Sequence, residues 1–304
     1  MIYTITANPA IDYVLQMNKM DLGAVNRVPD AQLLAGGKGI NVSQILNQLK
    51  VPNTALGFVG GEIGKILEKQ LTAKHINDHF TRIADQTRIN VKIKASEETE
   101  LNAAGPKITA AETASFFQEL AAVTKGDVVI ISGSLPASLA KDFYDEIIRR
   151  VQAAGADFAI DTTGQQLLDS LPLHPLVVKP NHHELADLFH TTFKDEADLI
   201  AHGQKLLALG AQHVLVSMAG AGAILITPDH VYRSLAPKGK VKNSVGAGDS
   251  MLAGFVGAFT HQQDPVEAFQ YGLACGSATA FSEDIAERAA IDALLPDIQI
   301  STIQ

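Results

Sequence analysis

The sequence predicts an α/β protein whose mainly parallel sheet is covered by helices on both faces. Short β-branched runs alternate with amphipathic helical patterns over most of the 304 residues, 46% of which are hydrophobic and 19% charged. Repetition of strand, helix and strand is typical of parallel sheets, because each parallel pair needs a crossover connection. The ordinary globular composition excludes disorder, collagen or coiled coil as the main architecture.

The predicted buried strands are short apolar runs bounded by polar or glycine-containing segments. They comprise residues 2–6, 55–59, 127–132, 158–161, 176–179 and 214–217. Between them, apolar residues recur at helical spacing, as at Phe143, Ile147, Ile148 and Val151. From about Ala247 to the end, the pattern is nearly all helical.

Two stretches, residues 12–34 and 87–101, interrupt this alternation and contain no helical pattern. In residues 88–94, polar side chains alternate with Ile and Val, which is the period of a half-buried strand. We therefore expect both stretches to form a small second sheet inserted into the α/β core. The core would then comprise residues 1–11, 35–86 and 102–304.

The overall charge is acidic, with 24 Lys and Arg against 33 Asp and Glu. General attraction to nucleic acid or to anionic lipid is therefore not expected, and an anionic ligand would need a local binding site. No targeting segment and no apolar run of membrane-spanning length is found. One cysteine, Cys275, cannot form an intrachain disulfide. These features predict a cytoplasmic protein without a nucleic-acid or membrane partner.

The usual nucleotide-binding motifs are absent. No segment has the P-loop spacing, and the glycines at positions 220–222 and 246–248 lack the third glycine of a dinucleotide motif. The pair His182 and His183 lacks the spacing of a His-Glu-x-x-His zinc site. P-loop, NAD dehydrogenase and zinc-enzyme interpretations therefore lose support.

The most informative segment is the glycine-rich loop at residues 243–250, which leads into an apolar helical pattern. Backbone amides of Gly246, Ala247 and Gly248 at a helix start could hold a transferring phosphoryl group. Asp249 would then lie where a carboxylate can accept the proton of an attacking alcohol. The alternative is that Asp249 only caps a closely packed helix, and this segment alone does not decide.

Two more segments place polar groups at helix starts. A glycine cluster at residues 35–41 adds Lys38 and Asn41, which could bind an anionic substrate or could be solvated. Asn181 and Glu184 follow the predicted strand 176–179 and could bind phosphate or the water shell of magnesium. A helix capping box formed by the same two side chains is the competing interpretation.

Residues 36–41 and 244–249 resemble the two motifs of the PfkB branch of the ribokinase-like carbohydrate kinases. They read Gly-Gly-Lys-Gly-Ile-Asn and Ser-Val-Gly-Ala-Gly-Asp and occur in the expected order. Further segments, residues 6–12, 87–92, 98–102 and 132–136, resemble the subgroup that phosphorylates ketohexose phosphates. The resemblance covers essentially the whole chain. It implies a three-layer αβα, Rossmann-like core with a β-sheet lid over the sugar site.

The resemblance implies transfer of the γ-phosphoryl group of ATP, with Mg²⁺, to a ketohexose phosphate. D-Fructose 1-phosphate is the first expectation, giving fructose 1,6-bisphosphate, and tagatose 6-phosphate is the alternative. A ribose or nucleoside kinase and a non-catalytic sugar-phosphate sensor are more distant alternatives. Lys38 and Arg88 argue against a ribose or nucleoside kinase, whose acceptor is not anionic. Asp249 argues against a sensor, which needs no base. The resemblance also makes a homodimer through the lid plausible.

The resemblance further implies roles for individual residues. Asp249 would be the base, and the amides of Gly246, Ala247 and Gly248 the anion hole. The sugar side would comprise Asp12, Gly37, Lys38, Asn41 and Arg88, of which Arg88 would pair with the substrate's phosphate. The nucleotide side would comprise Lys179, Asn181, Glu184, Ser217, Gly220 and Gly222, with Asn181 and Glu184 holding magnesium through water or phosphate. Ala219 departs from the usual glycine, and a positive φ there would cost on the order of 1 kcal/mol.

Overall fold

A mixed sheet of parallel and antiparallel strands runs through the centre of the protein, which is described by a computed structural model of residues 1–304. The strands are β1 (Ile2–Thr6), β2 (Ala10–Gln16), β3 (Asp30–Gly36), β4 (Asn53–Gly60), β5 (Asn77–Asp78), β6 (Thr81–Ile83), β7 (Arg88–Lys94), β8 (Glu98–Leu101), β9 (Val128–Ser132), β10 (Asp157–Asp161), β11 (Val214–Ser217), β12 (Ala223–Ile226), β13 (Val231–Ser234) and β14 (Ile300–Thr302). The α-helices are α1 (Lys38–Gln48), α2 (Gly61–Ala73), α3 (Ala110–Leu120), α4 (Phe143–Ala153), α5 (Gln165–Ser170), α6 (His182–Leu188), α7 (Glu196–Ala208), α8 (Ala247–Gln262), α9 (Pro265–Phe281) and α10 (Arg288–Leu294).

The central sheet has a parallel part and an antiparallel part. The parallel part has the order β10-β9-β1-β4-β5, with β6 also paired to β4. The antiparallel part has the order β11-β12-β13-β14. Strand β14 at the outer edge departs from the nearly all-helical pattern predicted for the C-terminal part, since it pairs with β13. The predicted α/β class with a mainly parallel sheet is confirmed.

An extended segment joins the two parts where a strand was predicted at residues 176–179. That strand prediction is wrong, because only Val178 forms ladder bridges, to Ile160 on one side and Val214 on the other. Pro175 and Pro180 enclose the segment. Since proline has no N–H to donate, the hydrogen-bond ladder does not extend into a regular strand.

Helices cover both faces of the central sheet and produce three layers. Helices α3 to α7 contribute to a core of 33 buried residues on one face, in which the rings of Phe58, Phe116 and Phe143 pack together in tilted pairs. Helices α1, α8, α9 and α10 contribute to a core of 28 buried residues on the other. Cys275 lies fully buried in this second core. No helix combines the length and the apolar character that crossing a membrane requires.

The second sheet has the order β3-β2-β7-β8 and lies within the two stretches that interrupt the α/β pattern, apart from the ends of β2 and β3. Its strand register places Asp12 beside Asn90 and Tyr13 beside Val91. Successive side chains of a strand point to opposite faces. One face of this sheet is therefore polar and the other apolar, and the polar face turns towards the central sheet.

Candidate active site

A cavity with a volume of about 590 Å³ lies between the central sheet and the polar face of the second sheet. Ligands in open α/β sheets bind beyond the carboxyl ends of the strands, and β1, β9 and β10 end here. Most predicted site residues line this cavity: Asp12, Gly37, Lys38, Asn41, Arg88, Lys179, Asn181, Glu184, Ser217, Gly246, Gly248 and Asp249. Ala247, Gly220 and Gly222 do not line it.

Asp249 lies in the first turn of α8 and is only 6% exposed. The helix begins after Gly246, which has a left-handed φ of 78° and where a Cβ atom would lie 2.7 Å from Ile285. No side chain caps this helix, so the capping interpretation of Asp249 is not supported. Asn41 Nδ2 donates to Asp249 Oδ2 at 2.9 Å and fixes the carboxylate at the cavity wall.

A second buried carboxylate, Asp161, ends β10 and faces the same cavity. Its side chain is 3% exposed and pairs with two lysines. Lys38 Nζ lies 3.2 Å from Oδ2, and Lys179 Nζ lies 3.7 Å from Oδ1. Asp161 is not among the site residues predicted from the sequence. The only signal was its position at the carboxyl end of a predicted strand.

The two carboxylates differ in acidity because the lysines lie closer to one of them. Burial, followed by the charge of Asp161, raises the pKa of Asp249 from 3.8 to about 6, against the opposing effects of Lys38, Asn41 and Lys179. Burial also disfavours ionised Asp161, but Lys179 and Lys38 outweigh it and hold the pKa of Asp161 below its usual value. A buried carboxylate with a raised pKa in a cavity is suited to accepting a proton.

The second sheet contributes a polar network to the opposite wall. Asn90 Nδ2 donates to Asp12 Oδ1 at 2.9 Å, and Lys92 Nζ pairs with Glu100 at 2.6 Å and with Asn102 at 3.2 Å. Burial raises the pKa of Asp12, against the effect of the Asn90 hydrogen bond. The sequence analysis did not predict Asn90, Lys92, Glu100 or Asn102. The alternation in β7 already placed the first two on one face, but only the register with β2 brings them to Asp12.

Arg88 is held at this wall by backbone carbonyls. Its Nη1 donates to Ala103 O at 2.9 Å, and its Nη2 to Asn8 O at 3.0 Å. Its buried Nε has no partner, and neither do Thr6 Oγ1, Asn8 Oδ1 and Ser132 Oγ in the same cavity. Buried polar groups are nearly always hydrogen-bonded in proteins. This group of unpaired atoms therefore indicates where a polar ligand binds.

Asn181 and Glu184 form a reciprocal capping box at the start of α6. Glu184 N–H donates to Asn181 Oδ1, and Asn181 N–H donates to Glu184 Oε2, each at 2.8 Å. The capping interpretation is therefore correct, and the cap uses one oxygen of each side chain. Glu184 still lines the cavity with its second oxygen uncommitted. Ser217 lies beside this helix start through a bridge to Asn181.

The loop after β11 contains the departure from the usual family pattern. Ala219 has a φ of 48°, so the positive φ considered from the sequence is present. Gly222 has a φ of 96°, and a Cβ atom there would lie 2.1 Å from Ser234 O. The loop is closed by a hydrogen bond from Met218 N to Gly222 O at 2.8 Å. A glycine is required at position 222, whereas position 219 holds a strained alanine.

The sequence profile described as "pfkB family carbohydrate kinase" matches residues 2–289. The chain belongs to this family. The match extends over both sheets except β14, and over every residue that lines the cavity. The protein is therefore a carbohydrate kinase of the pfkB family, and the predicted relationship and phosphotransferase class are confirmed.

Individual relatives of this pfkB kinase are similar over nearly the whole chain. It is 40% identical to the 1-phosphofructokinase of Bacillus subtilis over 100% of both chains. It is 34% identical to the D-tagatose-1-phosphate kinase of Bacillus licheniformis over 99% of both, and 33% identical to a tagatose-6-phosphate kinase of Staphylococcus epidermidis over 93% of both. A crystal structure from Staphylococcus aureus, 42% identical, superposes with a TM-score of 0.89 over 100% of this chain and 99% of that one. The relatives support a sugar-phosphate kinase.

Proposed function

We propose that this protein transfers the γ-phosphoryl group of ATP to a hydroxyl of D-fructose 1-phosphate, giving fructose 1,6-bisphosphate and ADP. ATP is the phosphoryl donor of carbohydrate kinases of this family. The observation that carries the proposal is the buried Asp249, hydrogen-bonded to Asn41 at the start of α8 and facing a cavity with Lys38 and Arg88. That arrangement supplies a base, an anion-binding helix start and cations for a substrate that is already phosphorylated.

The proposed chemistry is an in-line displacement. The sugar hydroxyl forms the new bond to the γ-phosphorus, its proton passes to an oxygen of Asp249, and the bond to the bridging oxygen of ADP breaks. Amides of Gly246 and Gly248, which line the cavity at the start of α8, would face the transferred group and offset its charge. The Ala247 amide, also expected in this anion hole, donates to Ser244 O at 3.3 Å and does not line the cavity, so its part would need that bond to open. Positioning and electrostatic stabilisation dominate catalysis of phosphoryl transfer, because the protein forms no covalent bond to the phosphorus.

On the nucleotide side, Lys179, Asn181, Glu184 and Ser217 would contact the phosphates of ATP, with Gly220 and Gly222 shaping the adjoining loop. Magnesium keeps several waters and binds through one or two carboxylates plus substrate phosphates. The uncommitted oxygen of Glu184 fits that requirement, whereas Asn181 Oδ1 is already occupied by the helix cap. When bound, the ion would neutralise charge on the phosphates of ATP, and Glu184 would orient its water.

On the sugar side, we propose that Arg88 pairs with the substrate's own phosphate and that Asp12 binds sugar hydroxyls above Gly37 and Asn41. Two carbonyl contacts hold the Arg88 guanidinium at the cavity wall, and its Nε has no partner within the protein. The β3-β2-β7-β8 sheet would act as the lid, formed by residues 12–34 and 87–101 over the remaining core, and would exclude water that competes as acceptor.

A cytoplasmic location also stays a prediction.

Tagatose phosphates are the second candidate substrates, because relatives named for them are 33–34% identical over nearly the whole chain. Tagatose 1-phosphate differs from fructose 1-phosphate only in configuration at one carbon. Tagatose 6-phosphate carries its phosphate at the opposite end, so its acceptor hydroxyl also changes. The greater identity to a 1-phosphofructokinase, 40%, supports fructose 1-phosphate as the first choice.

We also propose a homodimer formed through the outer face of the lid. Tyr13, Leu33, Ile89 and Leu101 are 37%, 42%, 38% and 55% exposed on this face. Exposed apolar patches of this kind often mark protein interfaces. Light scattering at micromolar concentration should show twice the chain mass, and Leu33→Glu should return a monomer. A monomeric wild-type protein would contradict the dimer.

The substrate is tested by an ADP-release assay with ATP and magnesium. The acceptors are fructose 1-phosphate, tagatose 1-phosphate, tagatose 6-phosphate, fructose 6-phosphate, ribose and adenosine, ranked by kcat/KM. Fructose 1-phosphate should rank first. A leading tagatose phosphate would keep the mechanism and change the substrate, a leading ribose or adenosine would indicate a different kind of kinase, and no turnover with any acceptor would favour a sugar-phosphate sensor.

A further inference from the structure

The second carboxylate of the cavity, Asp161, has no role in the chemistry described so far. It ends β10 and is 3% exposed, so its charge is almost completely removed from water. Taking a carboxylate out of water costs several kcal/mol unless the surroundings compensate it. A hydrophobic residue would fill a strand end without that cost. The presence of this charge beside the catalytic groups therefore calls for a function.

Asp161 connects two lysines from separate parts of the chain. Lys38 begins α1 and approaches Oδ2 at 3.2 Å, while Lys179 precedes α6 and approaches Oδ1 at 3.7 Å. Each lysine therefore contacts a different carboxylate oxygen. Lys179 Nζ also lies 3.0 Å from the position of a Cβ atom on Gly248, beside the proposed anion hole. The two ammonium groups are thus fixed on the sugar side and the nucleotide side of the transfer path.

The same arrangement affects Asp249, which faces Asp161, Lys38 and Lys179. Both lysines act electrostatically on Asp249, so either one, if not held by Asp161, could pair with that carboxylate. Such an ion pair would occupy the oxygen that must accept the substrate proton and would make Asp249 a weaker base. The negative charge of Asp161 also favours the protonated form of Asp249.

We propose that Asp161 is a positioning residue that holds the Lys38 and Lys179 ammonium groups along the transfer path and leaves the Asp249 carboxylate free to accept the substrate proton. This inference rests on the proposed kinase activity. Asp161 itself contacts neither substrate in this scheme. After transfer, the proton stays on Asp249, where the charge of ionised Asp161 favours it, and the two lysines keep Asp161 ionised.

The test is Asp161→Asn, which keeps the shape of the side chain and removes its charge. We expect kcat to fall on the order of 100-fold, with KM for the sugar phosphate changing much less. The acid limb of the kcat/KM profile should also move to lower pH by about one unit, because removing a neighbouring negative charge lowers the pKa of Asp249. Asp161→Glu keeps the charge and should retain the wild-type acid limb with part of the activity.

Asp127→Asn is the matched control. Asp127 is also a buried carboxylate, 8% exposed, but it pairs with the N-terminus and Thr124 before β9, away from the cavity. Its loss should lower stability and leave the acid limb unchanged. If Asp161→Asn does not fold, Asp161→Ser supplies the test, since it also removes the charge and should give the same fall in kcat and the same shift of the acid limb to lower pH.

The outcomes separate this inference from the proposed function. A wild-type protein that phosphorylates none of the sugars would contradict the proposed function itself. An active wild-type protein whose Asp161→Asn variant keeps its kcat and its acid limb would overturn only the role of Asp161. An unchanged kcat and an unmoved acid limb in Asp161→Ser, where that variant must be used, would overturn it as well.

Discussion

The two walls of the cavity hold their charged groups in different ways. On the core wall, Asp249 and Asp161 are almost fully buried and are fixed by a helix start and a strand end. On the lid wall, Asp12 and Arg88 lie on strands of a thin sheet whose other face is exposed. Almost fully buried groups on a rigid core suit bond formation, whereas groups on a thin sheet suit recognition of a charge that the substrate already carries. We therefore expect core substitutions to affect kcat and lid substitutions to affect KM.

The largest expected effect is that of Asp249→Asn on the core wall. Loss of a general base should reduce kcat by about 10²- to 10⁴-fold. Binding should change little, because only the transition state requires the base. Steady-state kinetics measures the first quantity, and calorimetric titration with ATP and with fructose 1-phosphate measures the second. Near-normal turnover would contradict the assignment of Asp249 and the comparison of the two walls.

The corresponding test of the lid wall is Arg88→Ala. Removing one charge-assisted phosphate contact should raise KM for the sugar phosphate by about 10- to 100-fold, since such hydrogen bonds contribute roughly 1.5–3 kcal/mol. KM for ATP should change far less. Arg82→Ala is the matched control, because Arg82 is exposed on β6 and pairs with Glu68 outside the cavity. Equal effects of Arg88→Ala on both substrates would argue against its role.

The core wall was also more predictable from the sequence than the lid wall. The glycine loop before Asp249 and the cluster before Asn41 are local patterns, so their residues could be placed at helix starts without knowing the fold. Asp161 and Lys92 belong to no such pattern. Asp161 becomes part of the site only because β10 ends beside the segment that contains Lys179, and Lys92 only because β7 pairs in register with β2.

The predicted strand at residues 176–179 shows a related limit. Its apolar residues correctly indicated a buried position between β10 and β11. Regular strand structure also requires backbone donors, and between the flanking Pro175 and Pro180 only Val178 forms a bridge to each neighbouring strand. Burial follows from composition, whereas hydrogen-bond pairing depends on neighbours that are distant in sequence. The antiparallel pairing of β14 with β13 is a second case.

The pH dependence of activity sharpens the contrast between the walls. Asp249 must be ionised to act, and its pKa is raised to about 6, so kcat/KM should fall roughly tenfold per pH unit below that value. A raised carboxyl pKa contributes stability that is present below the unfolded value and is lost as pH rises through the folded value. Asp249 therefore does not itself cause unfolding as pH falls from 6 to 4. Unfolding temperatures over the same range provide the control, and an acid limb near pH 4 would contradict the shift.

The smallest expected effect concerns Ala219, in the loop beside the core wall. Its φ of 48° costs an alanine on the order of 1 kcal/mol, so Ala219→Gly should relieve strain. Because glycine also increases the entropy of the unfolded chain by about 0.4–1 kcal/mol, the net gain in the free energy of unfolding should be small. The clearer change should be a modest decrease in KM for ATP, measured with saturating sugar phosphate.

Gly220→Ala is the neighbouring control for Ala219→Gly. Gly220 does not have a positive φ, and no atom lies within 4 Å of a Cβ atom built there. An alanine at 220 should therefore fold without strain, and its unfolding free energy reports the entropy effect of glycine alone. The change in unfolding free energy for Ala219→Gly is the strain relieved minus this entropy effect. Adding the stabilisation measured for Gly220→Ala therefore gives the strain energy alone. If the corrected difference is zero and KM for ATP is unchanged, the left-handed alanine imposes no strain on the nucleotide loop, and the core wall tolerates that departure from the family pattern without loss.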